Sequence, residues 1–186
     1  MQYKIAVSGS ARVSKNAKDI ALLAKEIGKE IVRHDCVLIS GATTGFPHLA
    51  AKGAMEEGGK SIGFSPAASE LAHIKSYHLP TDAFSTMVYT GFDYAGRNLL
   101  MTRSSDGMIV IGGRMGTLNE FTIAFEDRKP IGVLEGSGGT ADLIKTLLKI
   151  PQTLKAKIVY DKNPKRLVKR LIELIEKEEN YIKDQK

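Results

Sequence analysis

A glycine-rich turn followed by a carboxylate is the feature of this sequence that could do chemistry. The turn Gly112–Thr117, with sequence Gly-Gly-Arg-Met-Gly-Thr, comes directly after the apolar run Gly107–Ile111, and Glu120 follows three residues later. A helix that starts in such a turn offers unpaired N–H groups and a positive dipole end, which suit a phosphate. A carboxylate beside a bound sugar phosphate can activate water or stabilise positive charge. The turn predicts phosphate contacts from Gly112, Gly113, Arg114, Met115, Gly116 and Thr117.

Two further turns place small or hydroxyl residues after apolar runs. Ser8-Gly9-Ser10 follows Ile5–Val7, and the turn Ser40–Gly45 follows Val37–Ile39. In doubly wound sheets, ligands bind outside the carboxyl ends of the strands, so we expect the three turns to share one site. None of them matches a Walker A loop or the pattern Gly-x-Gly-x-x-Gly. The additional candidates for phosphate or nucleotide binding are Ser8, Gly9, Ser10, Gly41, Thr43, Thr44 and Gly45.

Glu120 has two interpretations. In the first, Thr117 caps the helix and Glu120 reaches back to it, as in a capping box. In the second, Glu120 borders a cleft or a subunit interface, because it falls beside the apolar Ile123 and Ala124, and a helix that is apolar on both sides is covered on both. A carboxylate there can have a raised pKa and act on a substrate. The stripe predicted to face the sheet consists of Leu118, Phe121, Thr122 and Phe125.

The elements that must position these turns alternate between short apolar runs and helical patterns. The predicted strands are Ile5–Val7, Val37–Ile39, Ser61–Phe64, Thr86–Tyr89, Gly107–Ile111, Ile131–Leu134 and Ile158–Tyr160. The predicted helices are Asn16–Val32, Pro47–Glu57, Asp93–Ser104, Thr117–Glu126, Ala141–Leu148 and a last helix that opens with Asn163-Pro164. Continuous apolar runs are typical of parallel strands buried on both faces.

The alternation predicts an α/β fold with a single doubly wound, mostly parallel, Rossmann-like sheet and helices on both faces. We expect one nucleotide-binding domain over residues 1–186, of which 163–186 form an amphipathic C-terminal helix and a charged tail. The segment Ala67–Ala83 lacks a clear pattern, which predicts a loop over the strand ends.

Composition and charge narrow the function classes. The hydrophobic share of 42% and the charged share of 26% are ordinary for a globular protein. Much of the net charge of +6 lies in residues 155–186, where basic residues alternate with acidic ones and predict a solvated face rather than a nucleic-acid surface. No signal-peptide core or apolar stretch of about 20 residues is present, so we expect a cytoplasmic protein without a membrane partner.

The single cysteine, Cys36, opens an apolar run and is interpreted as a small buried hydrophobe, with a reactive thiol as the alternative. The four histidines show no ligand spacing, so we expect no metal. In the predicted helix Asp93–Ser104, Arg97 and Arg103 lie on either side of the apolar residues Leu99, Leu100 and Met101. Arginines at helix ends often extend along the surface or pair with acids there, and Arg103 would complement the helix dipole.

The segment Gly96–Asp106, with its arginines, together with Ile109–Thr117 and Glu120, resembles the Lonely Guy family of cytokinin nucleotide phosphoribohydrolases. That family's signature is an arginine-bearing helix followed by Pro-Gly-Gly-x-Gly-Thr-x-x-Glu. The resemblance implies that Arg97 and Glu120 form the catalytic pair and that the glycine-rich turn holds a 5′-phosphate. The implied reaction hydrolyses the N-glycosidic bond of a nucleoside monophosphate and releases a base and ribose 5-phosphate. It also implies a homo-oligomer, dimeric or larger, and no cofactor.

The sequence departs from that signature at several positions. Gly112 stands in place of the proline, Arg114 replaces a glycine, and Asn98 takes the place of the usual lysine. These departures resemble a bacterial and archaeal branch that is also similar to molybdenum-cofactor carrier proteins, which implies binding of a nucleotide or pterin phosphate without hydrolysis. A DNA-processing protein on a related fold is the third hypothesis.

The lysine decarboxylase label given to many homologues is not supported, because that chemistry needs a pyridoxal phosphate lysine and none follows a strand in this constellation.

Overall fold

The computed structural model describes residues 1–13, 17–150 and 155–183. The strands are β1 (Lys4–Gly9), β2 (Val37–Ser40), β3 (Ser61–Ser65), β4 (Thr86–Tyr89), β5 (Gly107–Ile111), β6 (Ile131–Leu134) and β7 (Ile158–Asp161). Each predicted strand is therefore confirmed, although β1 and β2 continue into the residues predicted as turns. The described strands form one sheet in the order β4-β3-β2-β1-β5-β6-β7, and all its pairings are parallel.

The helices are α1 (Lys18–Arg33), α2 (Phe46–Glu56), α3 (Glu70–Lys75), α4 (Asp93–Ser104), α5 (Met115–Glu126), α6 (Gly139–Leu147) and α7 (Pro164–Lys183). Asn16, the predicted start of the first helix, lies outside the described residues. The predicted start of the last helix is confirmed, because the Asn163 side chain accepts a hydrogen bond from Arg166 N at 3.1 Å.

The segment Ala67–Ala83 is not only a loop, contrary to the prediction. It contains α3, which begins after Ser69, whose side chain accepts a hydrogen bond from Ala72 N. His73 on this helix is fully buried, with its ring nitrogens 2.8 Å from Ser65 Oγ and 3.1 Å from Pro80 O. A six-residue helix is too short to show a helical repeat in the sequence, and its buried histidine gives no apolar signal.

Helices cover both faces of the sheet, as predicted. One face packs against α1, α2 and α7 through residues such as Ile27, Ala50 and Leu171. The other packs against α4, α5 and α6 through Met101, Phe121 and Ile144. The amphipathic α7 thus contributes its apolar side to the core, while Arg166 at its start pairs with Asp161.

Within the described part of the chain, no helix is both long and apolar enough to span a bilayer.

The strand order reverses direction between β1 and β5. Successive strands run outward from β1 to β4 on one side, and then from β5 to β7 on the other. In such a sheet the loops after the two central strands diverge to opposite faces and leave a crevice between them. Ser8 and Gly9 end β1 and pair in register with Val110 and Ile111 of β5, so the first and third predicted turns lie side by side at this crevice.

Candidate functional site

A cleft of about 330 Å³ opens at the carboxyl ends of β1 and β5. It brings together residues from all three predicted turns and from α4. The predicted site residues that line it are Ser8, Gly9, Ser10, Gly41, Thr43, Arg97, Arg114, Gly116, Thr117 and Glu120. Folding therefore brings residues such as Ser8 and Glu120, which are 112 positions apart in the sequence, into one cleft.

The other predicted residues do not line the cleft, although Thr44 and Gly45 help to position the turns around it. Thr44 donates its hydroxyl hydrogen to Ala11 O at 2.7 Å, which ties the second turn to the first. Gly45 adopts a φ of +79° at the entry to α2, where a Cβ would collide with Ser10 O. Met115 is exposed, and its side chain is not part of the cleft lining.

Gly112 and Gly113 let the chain turn sharply from β5 into α5. Their φ values of +58° and +108° favour glycine, and a Cβ at Gly113 would lie 2.5 Å from the Thr117 side chain. The segment after β6 also holds the turn in place. Gly112 N donates to Ser137 Oγ at 2.8 Å, and the Ser137 hydroxyl donates to Leu134 O at 2.6 Å. These two glycines position the start of α5 and do not themselves line the cleft.

The start of α5 differs from the capping-box interpretation, which is wrong. The helix begins at Met115, its N-cap is Arg114, and no side chain caps it. Because Leu118 N makes the first intrahelical bond, to Arg114 O, the amides of Met115, Gly116 and Thr117 have no partner within the helix. Two of these residues, Gly116 and Thr117, line the cleft, so the positive dipole end of α5 lies at the cleft as well.

The start of α2 is less able to receive an anion. Phe46 N already donates to Ser10 O at 3.0 Å, and Pro47, which lines the cleft, has no N–H group. Of the helix starts of α2 and α5, that of α5 is thus the one with consecutive free donors.

Glu120 lies one turn along α5, buried at the base of the cleft with only 6% of its surface exposed. Ser8 donates its hydroxyl hydrogen to Glu120 Oε2, and Arg97 Nη1 lies 3.7 Å from Oε1. When the Asn98 amide is oriented so that its nitrogen faces acceptors, it donates to Glu120 Oε1 and Tyr94 O, each at 2.9 Å. Side chains from β1 and α4 therefore hold the carboxylate in one position.

Burial controls the protonation of this pair. Desolvation raises the pKa of Glu120 above its ordinary value, although Arg97 and the Ser8 hydroxyl oppose this effect. Desolvation likewise lowers the pKa of Arg97, and the Glu120 carboxylate partly offsets it. A carboxyl group with a raised pKa facing a cleft can exchange protons with a ligand.

Arg97 is held by close packing rather than by a full set of hydrogen bonds. It is 4% exposed, and a Cβ at Gly41 would lie only 1.3 Å from Nη1. Nη1 also approaches Met101 Sδ at 3.9 Å, and the guanidinium carbon lies 6.0 Å from the centre of the Tyr94 ring. Among the described residues, Arg97 Nε has no hydrogen-bond partner, which is unusual for a buried polar group.

The sequence of this chain matches the model of the SLOG cluster4 family over residues 2–168. The chain belongs to the SLOG cluster4 family. A relative of this member is an uncharacterized protein of Archaeoglobus fulgidus, which is 30% identical over 113 residues, or 61% of this chain and 69% of that protein. This match supports the resemblance to the Lonely Guy family only as common membership of the Rossmann-like SLOG superfamily.

Solved structures similar to this SLOG cluster4 protein include those of two proteins that carry or bind the molybdenum cofactor. The molybdenum cofactor carrier protein of Chlamydomonas reinhardtii matches with a TM-score of 0.76 and 26% identity, over 95% of this chain and 99% of that one. The molybdenum cofactor binding protein of Rippkaea orientalis matches with a TM-score of 0.72 and 24% identity, over 95% and 97%.

A third similar structure is DNA processing protein A of Helicobacter pylori, which binds single-stranded DNA. Its TM-score is 0.63 at 17% identity, over 92% of this chain and 80% of that one. The similarity to this protein and to the Rippkaea orientalis protein shows a shared fold.

Tyr94, Asn98 and Pro47 also line the cleft, although the sequence alone did not assign them to it. Tyr94 lies three residues before Arg97 and four before Asn98, so helical spacing from Tyr94 is the signal that could have grouped these three residues. The contact between Asn98 and Glu120 could not be inferred, since it needs α4 and α5 to pack side by side.

Several other candidates have a structural explanation. Arg103 pairs with Asp127 at 3.0 Å on the surface, as its position at the helix end predicted. Cys36 is buried, and burial raises the pKa of its thiol to about 11, which favours the structural interpretation. Across the described residues, no cluster of histidine, cysteine and acidic side chains could hold a metal ion.

Proposed function

We propose that this SLOG cluster4 protein binds a small phosphorylated ligand, a nucleotide or a pterin phosphate, with the phosphate at the start of α5. The observation that carries the proposal is the uncapped start of α5, where Gly116 and Thr117 line the same cleft as the buried Arg97 and Glu120. The exposed Arg114 lines this entrance and forms no ion pair within the described chain. A positive dipole end and a free guanidinium together suit a phosphate.

The dimensions of the cleft support a small molecule as the ligand. A volume of about 330 Å³ lies within the range of small-molecule sites in proteins. The similarity to the Chlamydomonas reinhardtii carrier protein over nearly the whole of both chains adds support for a pterin phosphate. The phosphate is the part of such a ligand that this cleft is equipped to hold.

Calorimetric titration with AMP, GMP, neopterin phosphate and ribose 5-phosphate tests the proposal. We expect at least one of them to bind, and Arg114→Ala to weaken that binding about 10- to 150-fold, since a charged hydrogen bond contributes about 1.5–3 kcal/mol. Lys169→Ala is the matched control, because it removes one exposed positive charge on α7, none of whose described residues lines the cleft. Absence of binding by the wild type, or equal weakening by both variants, would contradict the proposal.

Hydrolysis of a nucleoside monophosphate is the second candidate, and the buried Glu120 carboxyl group favours it. In this reaction water adds to the anomeric carbon as the N-glycosidic bond breaks, and the base leaves with a proton. Glu120 would deprotonate the water or stabilise the positive charge on the sugar, and Arg97 would orient the carboxylate. Both residues face the cleft in which the ribose would lie.

An assay for ribose 5-phosphate separates an enzyme from a carrier. An enzyme releases ribose 5-phosphate from a nucleoside monophosphate, and Glu120→Gln abolishes the release while binding persists. Release that is unchanged in Glu120→Gln would remove this mechanism, whereas tight binding with intact ligand recovered leaves the carrier function alone. A DNA-processing function has only a shared fold in its favour, and salt-dependent binding of single strands would support it.

A further inference from the structure

Tyr94 is an aromatic side chain on the wall of the cleft that neither the ion pair nor the phosphate site uses. It lies on the first turn of α4, lines the cleft, and leaves 48% of its surface exposed. Aromatic side chains of this size usually gain by burial, so a half-exposed ring at a binding cleft needs an explanation. Packing of α4 against the core does not explain the position of the Tyr94 ring, because Met101 and Thr102 are the fully buried residues of this helix.

The Tyr94 ring is held in a defined orientation. Tyr77 packs against it edge to face, with the ring centres 5.8 Å apart and the planes at 73°, and the Tyr77 hydroxyl donates to Asp93. The Arg97 guanidinium lies 6.0 Å from the ring centre on the cleft side of the same helix. The ring therefore has little freedom to lose when a ligand covers its exposed surface.

Tyr94 also lies at a suitable place relative to the phosphate site. Both α4 and α5 follow parallel strands, so both begin at the carboxyl edge of the sheet, and the two helices pack against each other. Packed helices have axes about 8–10 Å apart. A ligand whose phosphate lies at the first turn of α5 thus extends across the cleft toward the first turn of α4, where Tyr94 is found.

We propose that Tyr94 stacks on a planar heteroaromatic ring of the ligand and makes the cleft select ring-bearing phosphates over plain sugar phosphates. This inference rests on the proposed phosphate site and adds the specificity-determining residue for the other end of the ligand. A purine and a pterin share this ring chemistry. Stacking of a base on an aromatic side chain contributes about 1–3 kcal/mol, which corresponds to about 5- to 150-fold in affinity.

Titration of the full chain with AMP, neopterin phosphate and ribose 5-phosphate tests this assignment. We expect the wild type to bind AMP or neopterin phosphate at least fivefold more tightly than ribose 5-phosphate, and whichever ring binds better identifies the source. Tyr94→Ala should weaken the ring-bearing ligand about 5- to 150-fold and leave ribose 5-phosphate within twofold. Tyr94→Phe should restore the affinity, because it keeps the ring. Should the Ala variant be poorly folded, Tyr94→Leu provides the same test with an apolar side chain.

Phe92→Ala is the matched control, because Phe92 is an exposed aromatic residue two positions earlier that does not line the cleft. It should leave all three affinities unchanged. Equal affinity of the wild type for ribose 5-phosphate and the ring-bearing ligands would overturn the stacking proposal while the phosphate site stands. Equal weakening of all ligands by Tyr94→Ala would overturn it as well. Failure of the wild type to bind any of them would remove the phosphate site and the stacking residue together.

Discussion

Replacing Gly41 by alanine tests how the buried ion pair is held in place. A Cβ at this position would lie 1.3 Å from Arg97 Nη1 and 2.4 Å from the guanidinium carbon. Ordinary contact begins near 3.4 Å, so the guanidinium has to retreat by about 2 Å. Nη1 is already 3.7 Å from Glu120 Oε1, near the limit of an ion pair, so we expect a shift of this size to disrupt the pair. Gly41→Ala therefore tests the pair without replacing either of its members.

The expected loss of stability follows from the cost of an unpaired buried charge. Removal of one partner from a buried ion pair costs about 3–5 kcal/mol. Because the guanidinium moves but remains, we expect Gly41→Ala to lower the free energy of unfolding by about 2–3 kcal/mol. For a chain of this size that corresponds to a Tm lower by roughly 4–12 °C, measured by calorimetry. Gly116→Ala is the control, since a Cβ there meets nothing within 4 Å and alanine favours the helix.

A double-mutant cycle identifies the cause of the loss. If the collision with the guanidinium destabilises Gly41→Ala, the same change in an Arg97→Ala background should cost less than about 0.5 kcal/mol. An equal loss in both backgrounds would show that Gly41 acts through the backbone and would refute the reasoning. A Tm for Gly41→Ala within about 1 °C of the wild type would refute it too.

Three further predictions concern protonation, reactivity and assembly. Burial raises the native pKa of Glu120 above its unfolded value of about 4.3, so the native state binds more protons between the two values and loses stability as pH rises there. The stability of the wild type relative to Glu120→Gln, from urea unfolding, should therefore fall as pH rises from about 4, and a constant difference would contradict this. Cys36, with a thiol pKa of about 11, should react slowly with a disulfide reagent at pH 8 until the protein is unfolded, and rapid native labelling would contradict its burial. We also expect a homo-oligomer, for which light scattering should give a mass above 20.3 kDa; a monomer would be the opposing result.

Local sequence predicted the sheet because its strands carry their own signal. Runs such as Gly107–Ile111 are buried along their whole length, so each is apolar without interruption. The short helix Glu70–Lys75 carries no comparable signal, since its buried side chain is the polar His73. The partners that satisfy this histidine, Ser65 and Pro80, lie in the flanking segments, and only the folded chain brings them to it.

The position of Glu120 shows where local spacing fails. The pattern from Thr117 to Glu120 is compatible with a capping box, but Gly112 and Gly113 turn the chain so tightly that the helix begins two residues earlier. Glu120 then meets Ser8, 112 positions away in the sequence. No local pattern could distinguish this outcome, because the donors that hold the carboxylate belong to β1 and α4.

The apolar residues beside Glu120 illustrate a different error. Ala124 is fully buried in the core with Phe121, whereas Thr122, which was predicted to face the sheet, is exposed. Packing within the chain thus explains Ala124, whereas Ile123 is half-buried and belongs to neither core cluster of the described residues. Ala124 therefore gives no support to an oligomer interface, and the prediction of a homo-oligomer rests on the family resemblance and on Ile123.

The ion pair at the base of the cleft is difficult to explain by stability. Burying two charges costs several kcal/mol for each, and hydrophobic residues of similar volume often stabilise a protein more. Here the 3.7 Å separation between Arg97 and Glu120 and the unpartnered Arg97 Nε leave part of that cost uncompensated. Gly41, Ser8 and Asn98 nevertheless contact the pair and fix its position. We infer that a ligand in the cleft provides the missing interaction, in which case binding should stabilise the wild type more than it stabilises Arg97→Ala.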